Sequence, residues 1–262
     1  MKALLKRGIQ DVLRRFNLAI VNRQYLDHLV RSQVAEDDLR RIAAMGSRHA
    51  GELLRLLPHS KSQLRQDLFV LSELGFKREG YFVEFGAADG IQGSNSFLLE
   101  QAYGWKGILA EPAKVWHAAL VRNRSGSRVD TRCVWSESGA TVSFREVEEA
   151  GYSTVDTFSD ADMHRQLRSR GSAYDVETVS LVDLLGTHGA PAEIDYLSID
   201  TEGSEFEILS RFDFDRYRFN VITCEHNYTP MREELYALLT SKGYVRKLEE
   251  ASAVDDWYVR AT

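Results

Sequence analysis

The chain has 262 residues, 44% hydrophobic and 27% charged, which suits one substantial globular core with an appended segment and excludes a fibrous or low-complexity protein. Its formal charge of −6 is uneven: residues 1–60 hold eleven Lys/Arg against six Asp/Glu (+5), the remainder 22 against 33 (−11), so the larger part is acidic and does not suit a nucleic-acid substrate, whose phosphates call for cations. Two isolated cysteines, Cys133 and Cys224, make no disulfide framework, and no apolar run approaches the ~20 residues that span a bilayer, so the expected compartment is a reducing cytoplasm.

In chain order, residues 1–57 read as helical. An apolar stripe of Leu4, Leu5, Ile9, Val12, Leu13 and Phe16 runs beside Lys2, Lys6, Arg7, Arg14 and Arg15, and Pro58 ends the region. This extension, residues 1–60, is expected to pack on the rest of the molecule, on a second copy in a homo-oligomer, or peripherally on an anionic membrane. From residue 61 a single domain follows in which helices and strands alternate: helix 63–74, strand 81–86, helix 94–103, strand 107–111, helix 113–123 and a strand near 128–135. Residues 141–144 resemble a short added strand. Residues 146–176 are polar and too long for a simple connector, so they are a candidate lid.

Alternation then resumes. Residues 179–185 suit a short helix or strand edge, 194–200 a strand, 204–211 a helix and 219–225 a strand. Thr229-Pro230 opens a helix with proline at its first position, and 244–248 with 257–260 form a hairpin. The fold class expected is α/β: a mostly parallel, Rossmann-like sheet with a C-terminal antiparallel hairpin and an N-terminal helical extension. Right-handed crossovers put the carboxyl ends of its parallel strands on one side.

Tyr81-Phe82-Val83-Glu84-Phe85-Gly86-Ala87-Ala88-Asp89-Gly90 reads as a buried strand running into a tight small-residue turn, where a ligand can approach the backbone. Twenty-five positions beyond Gly86, the next strand ends at Glu111-Pro112, an acidic residue of the type that accepts hydrogen bonds from ribose hydroxyls. The turn is not Gly-x-Gly-x-x-Gly, and the Asp89 carboxylate would stand where a pyrophosphate needs N–H groups. A nucleoside without phosphates fits better, and S-adenosyl-L-methionine is such a ligand. The other strand ends carry Asp200-Thr201-Glu202-Gly203 and Glu225-His226-Asn227. Carboxylates gathered on one rim raise one another's pKa values unless a positive group joins them, which a sulfonium, an amino group or a divalent cation would supply.

Val83 to Gly90, Ser94-Asn95-Ser96, Ile199 to Glu205 and Cys224-Glu225-His226 together resemble the FkbM family of S-adenosylmethionine-dependent methyltransferases, over roughly residues 62–247. Ala88-Asp89 departs from that pattern, which more usually has an Asn-Ile type pair. The resemblance implies a class I methyltransferase that moves a methyl group to a hydroxyl of a sugar, polysaccharide or glycosylated metabolite. It also implies a donor site. Glu84, Phe85, Gly86, Ala87, Asp89 and Gly90 would shape the methionine end, with Ser94, Asn95 and Ser96 adding contacts at the helix start. Glu111 with Pro112 would hold the ribose, Trp135 and Ser136 would enclose the adenine, and Asp200 and Glu202 would face the transfer.

His226, with an ordinary pKa near neutrality and a place just after a strand end, is the candidate base. Asp200, Glu225 and Asn227 offer oxygens to a Mg2+-like ion able to acidify a hydroxyl. The other readings are an NAD-linked sugar oxidoreductase, against which the missing Gly-x-Gly-x-x-Gly counts, and a non-catalytic glycan-binding module on the same fold.

Overall fold

The computed structural model describes residues 23–147, 153–158, 169 and 171–261. The basic amphipathic stripe of residues 2–16 and most of the candidate lid between 148 and 170 lie outside the described residues. The chain divides between Arg40 and Arg41 into two compact units. Of the first, the described part belongs to helix α1 (Arg23–Ala44), which exposes Leu29, Val30, Val34 and Leu39 and carries an Arg40–Glu36 ion pair one turn apart.

The second unit begins with the end of α1 and then α2 (Ala50–Leu56) and α3 (Gln66–Glu73). There follow β1 (Tyr81–Phe85), α4 (Phe97–Tyr103), β2 (Lys106–Ala110), α5 (Lys114–Asn123), β3 (Arg128–Asp130), β4 (Cys133–Trp135), β5 (Thr141–Glu146) and β6 (Thr154–Val155). The last elements are β7 (Ser172–Ser180), α6 (Leu181–Thr187), β8 (Glu193–Ile199), α7 (Glu205–Ser210), β9 (Arg218–Glu225), α8 (Met231–Ser241), β10 (Tyr244–Lys247) and β11 (Asp255–Arg260).

Seven strands make the main sheet in the order β10-β11-β9-β8-β1-β2-β3. β1, β2, β3, β8 and β9 pair in parallel, and β11 runs antiparallel to both β9 and β10, giving the expected edge hairpin. Side chains alternate across the pleat, so one sequence feeds two cores. Phe82, Leu109, Tyr196, Val221 and Trp257 pack on one side with α2 to α5, while Val83, Ile108, Leu197 and Ile222 pack on the other with α6 to α8. A sheet covered on both faces needs apolar residues at most strand positions, which is why β1 and β8 are buried along almost their whole length, polar only at Glu84, Glu193, Asp195 and Ser198. Each fully buried Phe, Leu or Ile there contributes about 1.5–3 kcal/mol relative to exposure.

A second sheet, order β4-β7-β5-β6, departs from the sequence reading. The strand expected over 128–135 is broken: Asp130 accepts from the Arg132 backbone N–H (3.0 Å) and from its guanidinium (2.9 and 2.6 Å), and this turn sends β3 to the main sheet and β4 to the second. The candidate lid also contains regular structure, since β7 is a nine-residue strand that pairs with β5 over residues 172–177 and with β4 over 178–180. The buried side chains of Ala113, Cys133, Phe144, Val155 and Val176 form this sheet's core. Both cysteines are buried free thiols. Among the described residues no helix is long and apolar enough to cross a membrane.

Candidate active site

The carboxyl ends of β1, β2 and β8 open into one pocket of about 590 Å3 of atom-free space, part of it open to solvent. Gly86, Ala88, Glu111 and Pro112 wall one side, Asp200 and Glu202 another, and Phe144 with Val155 from the second sheet close it. Gly86 stands at φ +69° where β1 and β8 converge, and a Cβ there would lie 2.0 Å from the Asp200 carbonyl oxygen. The glycine is therefore required first by the approach of two backbones.

Glu84 is not on the pocket wall. Its buried carboxylate accepts from Ser94 Oγ (3.0 Å), from the Asn95 N–H (2.7 Å) and from Ser96 Oγ, and the wholly buried Arg124 guanidinium lies 3.9 Å away. Arg124 in turn donates to the Gly90 carbonyl (2.9 Å), Ser94 Oγ (3.0 Å) and Ser96 Oγ (2.9 Å). Asn95 donates to Ser198 Oγ at 2.9 Å. Asp89 accepts from the N–H groups of Ile91 (2.8 Å) and Gln92 (2.9 Å), which closes its own turn. Ala87 is buried in the core. So Glu84, Asp89 and Ser94 to Ser96, expected as ligand contacts, brace the glycine turn from behind. Arg124 was missed, and nothing in helical periodicity marks an arginine at a helix end as the hub of a strand turn.

Glu111 sits at the end of β2 as expected. Its carboxylate accepts from the N–H groups of Ala88 (2.8 Å) and Ala113 (2.7 Å), and burial pushes its pKa up to about 7 against those bonds. Beyond it the pocket is walled by Cys133 and Val134. Trp135 and Ser136 are not brought to it; they line a separate depression with Ser138 and Leu181, and the Trp135 ring lies 6.0 Å from Phe158. The wall comes from the start of β4 because that strand enters the second sheet immediately after the Asp130 turn.

The acidic loop 200–205 is built around Glu205, whose Oε1 accepts from the Thr201 N–H (3.0 Å), Thr201 Oγ1 (2.9 Å) and the Gly203 N–H (3.1 Å). This leaves Asp200 and Glu202 on the pocket wall. Carboxylate oxygens of Asp200, Glu202 and Glu225 lie within 4.8 Å of one another. Burial raises the Asp200 pKa to about 6, while its hydrogen bond with Glu225 works the other way, and Glu225 is pushed well above its usual range by burial and by Asp200. One buried Glu225 oxygen, Oε2, has no hydrogen-bond partner among the described residues. Asn227 stands behind the trio, its amide donating to Glu202 Oε2 at 3.4 Å, so Glu202 takes the position expected of Asn227 in a cation site.

His226 is turned elsewhere. Its Nδ1 accepts from the Tyr228 N–H at 3.0 Å, which puts the proton on Nε2, and Nε2 lies 3.8 Å from Asp256 Oδ1, a carboxylate already gripped by Arg232 and Arg246. Burial lowers its pKa. The lone pair a base would use is committed to a backbone N–H, and the ring is absent from the pocket wall.

The donor set suits S-adenosylmethionine. Carboxylates gathered on the pocket wall, with one Glu225 oxygen lacking a hydrogen-bond partner among the described residues, match a ligand positive at sulfur and at its amino group, and Glu111 beside an apolar Pro112–Val134 wall matches a ribose next to an adenine.

The Methyltransferase FkbM domain matches residues 84–246. No curated protein matches the chain. Similar solved structures include the METTL16 methyltransferase domain (12% identity, TM-score 0.43, covering 75% of this chain and 66% of that one). The human methyltransferase 10 domain containing protein has 12% identity and a TM-score of 0.40, covering 75% and 81%. A TehB-like SAM-dependent methyltransferase from Corynebacterium glutamicum has 8% identity and a TM-score of 0.38, covering 81% and 96%. With the family domain spanning most of the chain, including the glycine turn, the acidic loop and β9, the protein belongs to the FkbM methyltransferase family and is an S-adenosylmethionine-dependent methyltransferase.

Proposed function

We propose that this enzyme is an O-methyltransferase whose acceptor is a hydroxyl of a sugar, polysaccharide or glycosylated metabolite. The observation that carries the reading is Asp200, a carboxyl on the pocket wall paired with Glu225. S-adenosylmethionine supplies the electrophilic methyl group. A hydroxyl is a poor nucleophile until its proton leaves, so an oxygen acceptor needs a base, and Asp200, on the pocket wall, is the residue assigned that task in this reading. Glu111 would accept hydrogen bonds from the ribose hydroxyls. The turn from Gly86 to Ala88 presents backbone, and Pro112 and Val134 offer apolar surface to the adenine. Holding donor and acceptor in line accounts for much of the rate.

The acidic rim favours a neutral polyol over a phosphate-bearing polymer. The NAD-linked oxidoreductase and glycan-binding alternatives lose their footing with the family assignment. The two buried thiols accord with a reducing cytoplasm.

A second component is favoured by the orphaned Glu225 Oε2. Asp200, Glu202 and Glu225 form the hard-oxygen donor set a Mg2+-like ion takes, and such an ion would acidify the acceptor hydroxyl.

The test is transfer of labelled methyl from S-adenosylmethionine to a panel of sugars, oligosaccharides and glycosylated small molecules, with RNA and free amines as controls. Product on a hydroxyl is expected. Product on a nitrogen or on RNA alone would sink the reading.

A further inference from the structure

β6 is only two residues long, and both are buried. Val155 faces the pocket, while the Thr154 hydroxyl donates to the Glu202 carbonyl oxygen at 2.9 Å. Just beyond, Phe158 lies against Gly203: a Cβ on that glycine would meet Phe158 Cβ at 3.1 Å and Cγ at 3.2 Å. Glu202 and Gly203 both have left-handed backbone, at φ +59° and +124°. That conformation is unfavourable for a glutamate unless its surroundings impose it. Two successive residues of the acidic loop are thus each held by one residue of the same strap.

The strap has its own anchorage. Thr154 and Val155 pair with Arg145 and Phe144 of β5, and Arg145 forms an ion pair with Asp156. It can therefore be released from the acidic loop without leaving the second sheet.

We infer that Thr154 is a positioning residue for the donor pocket: its hydroxyl ties the β6 strap to the Glu202 backbone and so holds Val155 and the acidic loop together around the bound donor. This rests on the pocket described above being the donor site. Thr154 touches no reacting atom. It acts through Glu202 on one side and Val155 on the other, so the bond should resist ligand escape more than ligand entry.

The test compares Thr154→Val, which keeps the shape and removes the hydroxyl, with Thr154→Ser, which keeps the hydroxyl. Adenosylhomocysteine is the probe, its affinity read by calorimetry and its dissociation rate by stopped-flow fluorescence. Thr154→Val is expected to weaken binding about five- to tenfold, the worth of one hydrogen bond, mainly as faster dissociation, with Thr154→Ser within about twofold of wild type. Equal binding by wild type and Thr154→Val would overturn the inference, and so would equal losses in both variants, because the hydroxyl would then not be the cause. If Thr154→Val does not fold, Phe158→Leu takes its place: faster dissociation supports the latch and an unchanged rate overturns it. Wild-type protein that fails to bind the probe would instead refute the donor-site reading itself, a separate outcome.

Discussion

The Gly86 Cα runs so close beside Asp200 that a Cβ added to it would lie 2.0 Å from the Asp200 carbonyl oxygen. β1 and β8 are neighbours, paired from Phe82 with Tyr196 to Glu84 with Ser198, and their carboxyl ends converge just past that pairing. Gly86 thus lines the pocket and also serves the convergence of the two strands. Gly86→Ala is expected to cost about 3 kcal/mol, combining the steric clash with a left-handed backbone position. Denaturant unfolding checks this, and a variant as stable as wild type would show that the two strand ends can separate freely.

Arg124 should matter more than any charged residue on the pocket wall. It is fully buried, donates to Glu100 Oε2 (3.0 Å), and ties Gly90, Ser94 and Ser96 together behind Glu84. Arg124→Met leaves Glu84 and Glu100 buried without their cation, and an uncompensated buried charge costs about 3–5 kcal/mol. Melts should fall sharply, and adenosylhomocysteine binding should weaken because the glycine turn loses its brace. A small change in both would mean that water replaces the guanidinium.

Stability should decline as pH rises from about 4 to 7. Burial raises Asp67 to about 6, and Glu111 and Asp255 to about 7. A carboxyl whose folded pKa is raised keeps its proton in the native state after the unfolded chain has lost it near pH 4. Within that window the native state binds more protons and stability falls with pH. Asp130, held down to about 2 by Arg132 and His188, acts in the opposite sense, losing its contribution only as pH drops below about 4. Thermal melts should therefore peak near pH 4, and Asp67→Asn should flatten the slope above it. Melts that rise steadily to pH 8 would contradict the burial of these three groups.

The main sheet was legible because its strands are buried on both faces and so declare themselves as apolar runs, and because Asp200 and Glu111 close such runs. The second sheet was not. β7 reads Ser-Ala-Tyr-Asp-Val-Glu-Thr-Val-Ser, where Tyr174, Val176 and Thr178 turn inward and Asp175 and Glu177 outward, a half-buried alternation that looks like polar loop when judged by composition. The site divided in the same way. Residue types at strand ends pointed to the acidic rim, but whether a side chain faces the pocket or the wall behind it depends on long-range partners. Glu84 meets Arg124 and His226 meets the Tyr228 N–H and Asp256, and neither orientation follows from spacing along one strand.

The proton acceptor can be tested by contrast. Asp200→Asn should lower methyl transfer about 10²–10⁴-fold, the usual contribution of a positioned acid or base, with donor affinity changed far less. His226→Gln should stay within about tenfold, since its Nδ1 is committed to Tyr228. Initial rates with labelled donor, on whichever member of the sugar and glycoside panel accepts the methyl group, make the comparison. The reverse ranking would mean that the histidine reorients when the acceptor binds.

The acid trio predicts a cation that can be counted without turnover. Asp200, Glu202 and Glu225 approach within 4.8 Å with only oxygen donors, so Mg2+ or Mn2+ should bind and softer ions gain no advantage from sulfur or nitrogen ligands. Mn2+ titration followed by electron paramagnetic resonance should show one bound ion per chain. Glu225→Gln should abolish that signal, because it replaces the carboxylate whose Oε2 is buried without a partner. Asn227→Ala should only weaken it, since Asn227 reaches the trio through Glu202 Oε2 at 3.4 Å. If the wild-type protein takes up no Mn2+ in the presence of adenosylhomocysteine, the carboxyls serve as a proton-sharing group alone, and Asp200 must accept the acceptor's proton without an ion to acidify it.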